Sequence, residues 1–215
     1  MIPENQEYLK EGRSLIERAF EFEDYILRRT FGLYFFGWAL GFLIDTIPGI
    51  VYPLFSHYIW ALILFYLSGS LSIMFFTGYL FRKAAKASVV FKSTYSKRNG
   101  VIYVLFFAFI LIIILLVALL GLYNYVILFY SFLGLFVPWS MMNVIRKSIS
   151  KVYPEMWVAM ISFVVACIIS IAGTETKLYY ILTITWVLEA IVWFSCGIAG
   201  IHNAYYQNEM MIDDD

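Results

Sequence analysis

VIYVLFFAFILIIILLVALL, residues 101–120, carries no charged side chain and a single polar one, Tyr103. A helix of this length spans about 30 Å, the thickness of a bilayer's hydrocarbon core. In hydrocarbon the backbone must satisfy its own hydrogen bonds, which leaves helices or closed barrels. Barrel strands alternate apolar and polar residues. This run does not alternate, so it reads as a membrane helix. Because it asks nothing polar of a neighbour, it is expected at the periphery of its bundle.

Five further apolar runs flank it, at 31–50, 54–81, 124–145, 155–172 and 178–200. Apolar residues make up 62% of the chain and charged residues 14%, whereas soluble domains carry about 25% charged residues. So little charge cannot cover so much apolar surface in water. The fold class expected is therefore an all-α membrane protein, a polytopic bundle of six transmembrane helices in three hairpins. An N-terminal segment, residues 1–30, precedes the membrane domain at 31–201, and an acidic tail follows at 202–215. No cleavable signal is evident, since the first apolar run lies behind residues rich in Glu and Arg.

The basic residues test this count. Lys and Arg favour the cytoplasmic side of membrane proteins. With both termini inside, 14 of the 15 basic residues fall on inner segments and Lys177 alone falls outside. A missed or surplus span would scramble that pattern. The outer connections are then short, near Ile47–Pro53, Gly121–Tyr123 and Gly173–Lys177. The expected location is the cell membrane, multi-pass, with N- and C-termini cytoplasmic.

Residues 7–29 place Leu15, Ala19, Phe22 and Ile26 at helical spacing, with Glu17, Arg18, Glu21 and Asp24 on other faces. This pattern predicts an amphipathic helix on the inner membrane surface. The terminal Asp213–Asp215 is expected to fray.

Two carboxylates interrupt the apolar runs. Glu189 lies 11 residues into the last run, about 16 Å along a helix and close to the bilayer centre. A charge there costs on the order of 2.5–3.5 kcal/mol on insertion scales, so it should face other helices or a wet cavity. Thr185, Trp193, Cys196 and Gly200 share its helix face. Ile184, Leu188 and Ile191 form the opposite, apolar side, so the mixed stripe is expected inward. Asp45 precedes Thr46-Ile47-Pro48-Gly49, where the helix is expected to end or break. Span two places Ser68, Ser70 and Ser72 near mid-membrane, and a hydroxyl of this kind is expected to meet the Glu189 carboxyl. Gly37 and Gly41 form a small-xxx-small pair able to admit another helix. Pro138 is expected to kink span four. Glu189, Asp45, Thr185, Ser68, Ser70 and Ser72 are thus the candidate binding residues.

Enzyme templates are absent: there is no zinc helix, nucleophile elbow or phosphate loop. His57 and His202 fall on opposite sides of the membrane in this topology, and Cys167 and Cys196 lie at different depths. No catalytic, metal or cofactor site follows from the sequence. The basic loop 82–98 is explained by anionic lipid and the positive-inside rule rather than by nucleic acid. The layout, an amphipathic helix before six spans, resembles the membrane subunit of some export-type ABC transporters. That resemblance is one of layout, without a motif, and implies an ATPase as partner. The function expected is a small permease or the membrane subunit of a transporter, acting with a second copy or a partner subunit. The alternative is a non-catalytic membrane scaffold or accessory subunit of a larger complex.

Overall fold

The computed structural model describes residues 3–55, 59–89, 92, 124–146 and 152–213, with part of the stretch 101–116. Five helices are delimited: α1 (Pro3–Phe55), α2 (Ile59–Ala87), α3 (Asn124–Ile145), α4 (Pro154–Glu175) and α5 (Tyr179–Asp213). The described part of 101–116 is helical as well. No strand occurs among the described residues. The expected turn at Gly121–Tyr123, the basic loop beyond Lys92, His57 and the last two aspartates lie outside them.

Among the described residues, three helical segments are long and apolar enough to cross a membrane: Ile127–Ile145, Pro154–Glu175 and Tyr180–Tyr206. Their outward faces show why. Leu135 is 75% exposed and Ile168 60%, and the same faces carry Ile161, Ile184, Leu188, Ile191 and Ile198. Continuous apolar surface on this scale is solvated by lipid, not by water. The chain is a helical membrane protein.

The first and last helices form the main contact, α1 against α5. Helix α5 then packs on α4, α4 on α3, and α2 on the other flank of α1. The spatial order is α2, α1, α5, α4, α3. The 101–116 stretch packs outside α3, where Phe106 stacks on Phe136 at 3.6 Å and Phe109 meets Phe132. Its Val104 and Leu105 are exposed, the edge position its composition predicts.

Helix α1 differs from the sequence reading. It runs unbroken for 53 residues, so the N-terminal segment and the first span are one helix of about 80 Å. Pro48 and Gly49 do not end it. A proline removes one backbone donor, whereas stopping a helix orphans several carbonyls, which an apolar medium cannot satisfy. Thr46 donates its hydroxyl back to the Leu43 carbonyl at 2.7 Å. Helical backbone likewise carries through Pro138 in α3. Helix α5 continues through the expected tail as far as Asp213. Ala204 is fully buried, so the extension of α5 still has core to pack against.

Glycines set the α1·α5 spacing. A Cβ on Gly197 would sit 2.9 Å from both the Gly32 carbonyl and the Phe36 amide nitrogen. A Cβ on Gly32 would sit 2.8 Å from the Ile201 nitrogen, and one on Gly200 3.1 Å from the Gly32 Cα. The two backbones touch, as small residues allow between membrane helices. Gly37 and Gly41 instead receive the side chains of Phe76 and Ile73 from α2.

The other end of α4 is closed by a turn. Leu178 N–H bonds the Gly173 carbonyl at 2.9 Å and Lys177 N–H bonds Thr174 at 3.2 Å, the Schellman pattern. Lys177 takes the left-handed position at φ 59°, which usually falls to glycine.

Candidate functional site

Glu189 lies on α5 with 4% of its surface exposed. One carboxylate oxygen accepts a 2.9 Å hydrogen bond from the Ser162 hydroxyl of α4. One turn along, Trp193 is fully buried and its indole N–H donates to the Ala159 carbonyl at 3.1 Å. These two ties set the antiparallel register of α4 and α5. Thr185, Trp193, Cys196 and Gly200 are buried with Glu189, while Ile184, Leu188 and Ile191 are exposed. The mixed stripe therefore faces inward, as its residue types imply.

Aromatic rings close the space around it. Trp193 contacts Phe42 at 5.1 Å, Phe35 at 5.2 Å and Phe163 at 5.5 Å between ring centres. Trp186, one turn before Glu189, contacts Phe42 at 5.2 Å and stacks on Tyr130 of α3 at 5.6 Å. Four helices thus contribute rings to one cluster, with Glu189 at its flank. Each favourable ring pair adds about 0.5–1.5 kcal/mol beyond area burial, so the cluster is a firm setting for a single carboxylate.

The candidate residues separate. Thr185 lies on the Glu189 face and is buried. Ser68 and Ser72 are exposed on α2, with Ser72 donating to the Ser68 carbonyl at 2.8 Å. Among the described residues, the hydroxyl that reaches Glu189 is Ser162, and Ser68 and Ser72 do not. Asp45 and Ser70 are helical, but their side chains lie outside the described set. A polar tie between α1 and α2 is made by Trp38, whose indole N–H donates to the Thr77 hydroxyl at 3.1 Å.

Two ionic features were not read from the sequence. Arg28 of α1 forms a two-point contact with Glu155 of α4, Nε to Oε1 at 2.6 Å and Nη2 to Oε2 at 3.4 Å. Its guanidinium also lies 4.1 Å from the Tyr153 ring centre. Glu155 sits in the first turn of α4, directly after Pro154, where a carboxylate favours the helix dipole. That acidic first turn was the available signal. Nearby, the Glu23 carboxylate accepts from the Ser88 hydroxyl and from the Val89 N–H at 2.7 Å. Helix α1 is thus fastened to α4 and to the end of α2 at one end of the bundle.

No group of three or more metal-binding side chains occurs among the described residues. Cys167 and Cys196 are separate, buried thiols. An open groove between the 101–116 stretch and α3 is lined by Ile102, Leu105, Phe106, Phe109, Phe132 and Phe136. It offers hydrocarbon contact alone. Among the described residues, Glu189 is the carboxylate buried deep within the apolar spans. Comparison with protein-family models, curated proteins and solved structures found no match.

Proposed function

We propose that this chain is a membrane transport component, a small permease or the membrane subunit of a transporter, with Glu189 as its working residue. The observation that carries the reading is a carboxylate buried in a membrane bundle and held by a neutral hydroxyl. An intramembrane carboxylate is expensive to place and commonly marks an ion or proton route. The fuller topology belongs to the same proposal: six spans with both termini cytoplasmic, supported by 14 of 15 basic residues on one side. In this orientation the Arg28 end of the bundle is inner and the Lys177 turn is outer. Enclosing a route requires a second copy or a partner subunit, for which an ATPase is the expected kind.

The test is flux in liposomes that carry the complex isolated in mild detergent and hold an internal pH dye, driven by a potassium diffusion potential. Wild-type protein should move protons. Glu189→Gln, which keeps shape and hydrogen bonding but cannot titrate, should assemble normally and lose the flux. Equal flux in both proteins, or none in either, would sink the assignment of Glu189 to proton movement.

A scaffold or accessory role is the second reading. It is favoured by the ring cluster, which packs four helices together around Glu189. There the Glu189–Ser162 bond would only join two helices. Isolation of the native complex in mild detergent separates the readings. A stoichiometric ATPase supports transport, and a large assembly without one supports the accessory role.

A further inference from the structure

Ser170 of α4 is fully buried, and neither its hydroxyl nor the indole N–H of Trp186 has a hydrogen-bond partner among the described residues. Buried polar groups left unpaired carry the full cost of their desolvation, so two in one region call for a physical cause. Their placement supplies one. Ala159, Phe163, Ala166 and Ser170 recur at spacings of four and three along the buried face of α4. The register fixed by Ser162–Glu189 and Ala159–Trp193 puts Trp186 level with about residue 165. Ser170 then lies roughly 6–8 Å farther toward the Lys177 end at 1.5 Å per residue. That separation suits one or two bridging waters. A water needs two to four polar partners; the indole N–H can only donate, and the hydroxyl can donate and accept.

The other half of the bundle is unlike this one. Between Glu189 and the Arg28 end, the buried side chains include Met156, Met160, Trp193, Phe35 and Phe31, with Thr30 and Cys196 among them. Beyond them stands the Arg28–Glu155 pair.

We infer that the outer half of the α4·α5 seam is hydrated through Ser170 and Trp186, giving Glu189 one-sided access from the outer face. This rests on the proposed role of Glu189 and narrows it. A path one water wide, beside packed rings, passes protons rather than an organic solute.

The inference is read by hydrogen exchange of the tryptophan indoles in the full-length protein, labelled with 15N and held in detergent micelles. Trp186→Phe and Trp193→Phe assign the two resonances. In D2O, the Trp186 N–H should exchange at least tenfold faster than that of Trp193 and show a cross-peak to water. Ser170→Ala should slow Trp186 exchange. Should Ser170→Ala fail to fold, the wild-type comparison of the two indoles still decides the matter. Trp186 exchanging as slowly as Trp193 overturns the inference. Slow exchange with flux lost in Glu189→Gln would remove the hydrated seam and keep the carboxylate's role. Fast exchange with unchanged flux would keep the hydrated seam and remove the route to Glu189.

Discussion

Helix α5 makes two seams of opposite character. Against α1 it presents Gly197 and Gly200, and the backbones meet with no room for a Cβ. Against α4 it presents Glu189 and Trp193, and the helices are joined through side-chain hydrogen bonds. The glycine seam gains dispersion along its whole length but tolerates no added atoms. The polar seam is made of a few discrete bonds, each of which can be made and broken. Stability and chemistry are therefore divided between two partners of one helix.

The largest effect should come from filling the glycine seam. Gly197→Val places atoms within 3 Å of two backbone atoms that cannot move independently. Overpacking costs about 1–3 kcal/mol where side chains can give way; here the obstacle is backbone, so the two helices must part. Gly197→Val should give little monodisperse protein on size exclusion. Gly78→Val, where an added Cβ meets nothing within 4 Å, should behave like wild type. Similar behaviour of the two variants would break the contrast between the seams.

Next is the tie that joins α1 to α4 directly. Arg28→Met leaves Glu155, 7% exposed, without its cation. Breaking a buried pair by removing one partner costs on the order of 3–5 kcal/mol, whereas replacing both partners by apolar groups is often neutral. Thermal unfolding in detergent should show a large drop for Arg28→Met and substantial recovery in Arg28→Met with Glu155→Leu. An additive double variant would mean the two residues act independently.

Ser162→Ala should cost less, roughly 1–3 kcal/mol for an acceptor left unpaired in a buried site. A loss equal to that of Gly197→Val would show that the polar seam carries the fold after all. The smallest effect is expected outside both seams. Lys177→Gly removes a left-handed strain of about 1–2 kcal/mol, offset in part by the unfolded-state entropy of glycine. It should raise the melting temperature by a degree or two.

How these regions were legible in the sequence follows the same division. Residue types on one helix face show which side turns inward, because periodicity acts within a single element. The stripe containing Glu189 and Thr185 was readable for that reason, and so was the peripheral place of the 101–116 stretch. Partners across helices were not readable. Ser162, Trp38–Thr77 and Arg28–Glu155 are separated by 27 to 127 positions, and nothing local encodes such distances. Arg28 was hidden further by Arg29, since two adjacent cations at an inner end are fully explained by sidedness. The break expected at Pro48-Gly49 follows propensities measured in water. In hydrocarbon the cost of ending a helix outweighs that of one missing donor.

Helix α1 has a mechanical consequence. It is one rod of 53 residues, about 80 Å long, clamped partway along by Arg28 against α4 and by Glu23 against the end of α2. A rod held at such a point is a lever. A 10° tilt about Arg28 would displace the N-terminal end by roughly 6–7 Å, taking 1.5 Å of rise per residue. A movement too small to open a ring cluster can therefore appear as a large swing at the N-terminal tip. Between that tip and the clamp, Leu15, Ile16, Phe20 and Phe22 stand exposed.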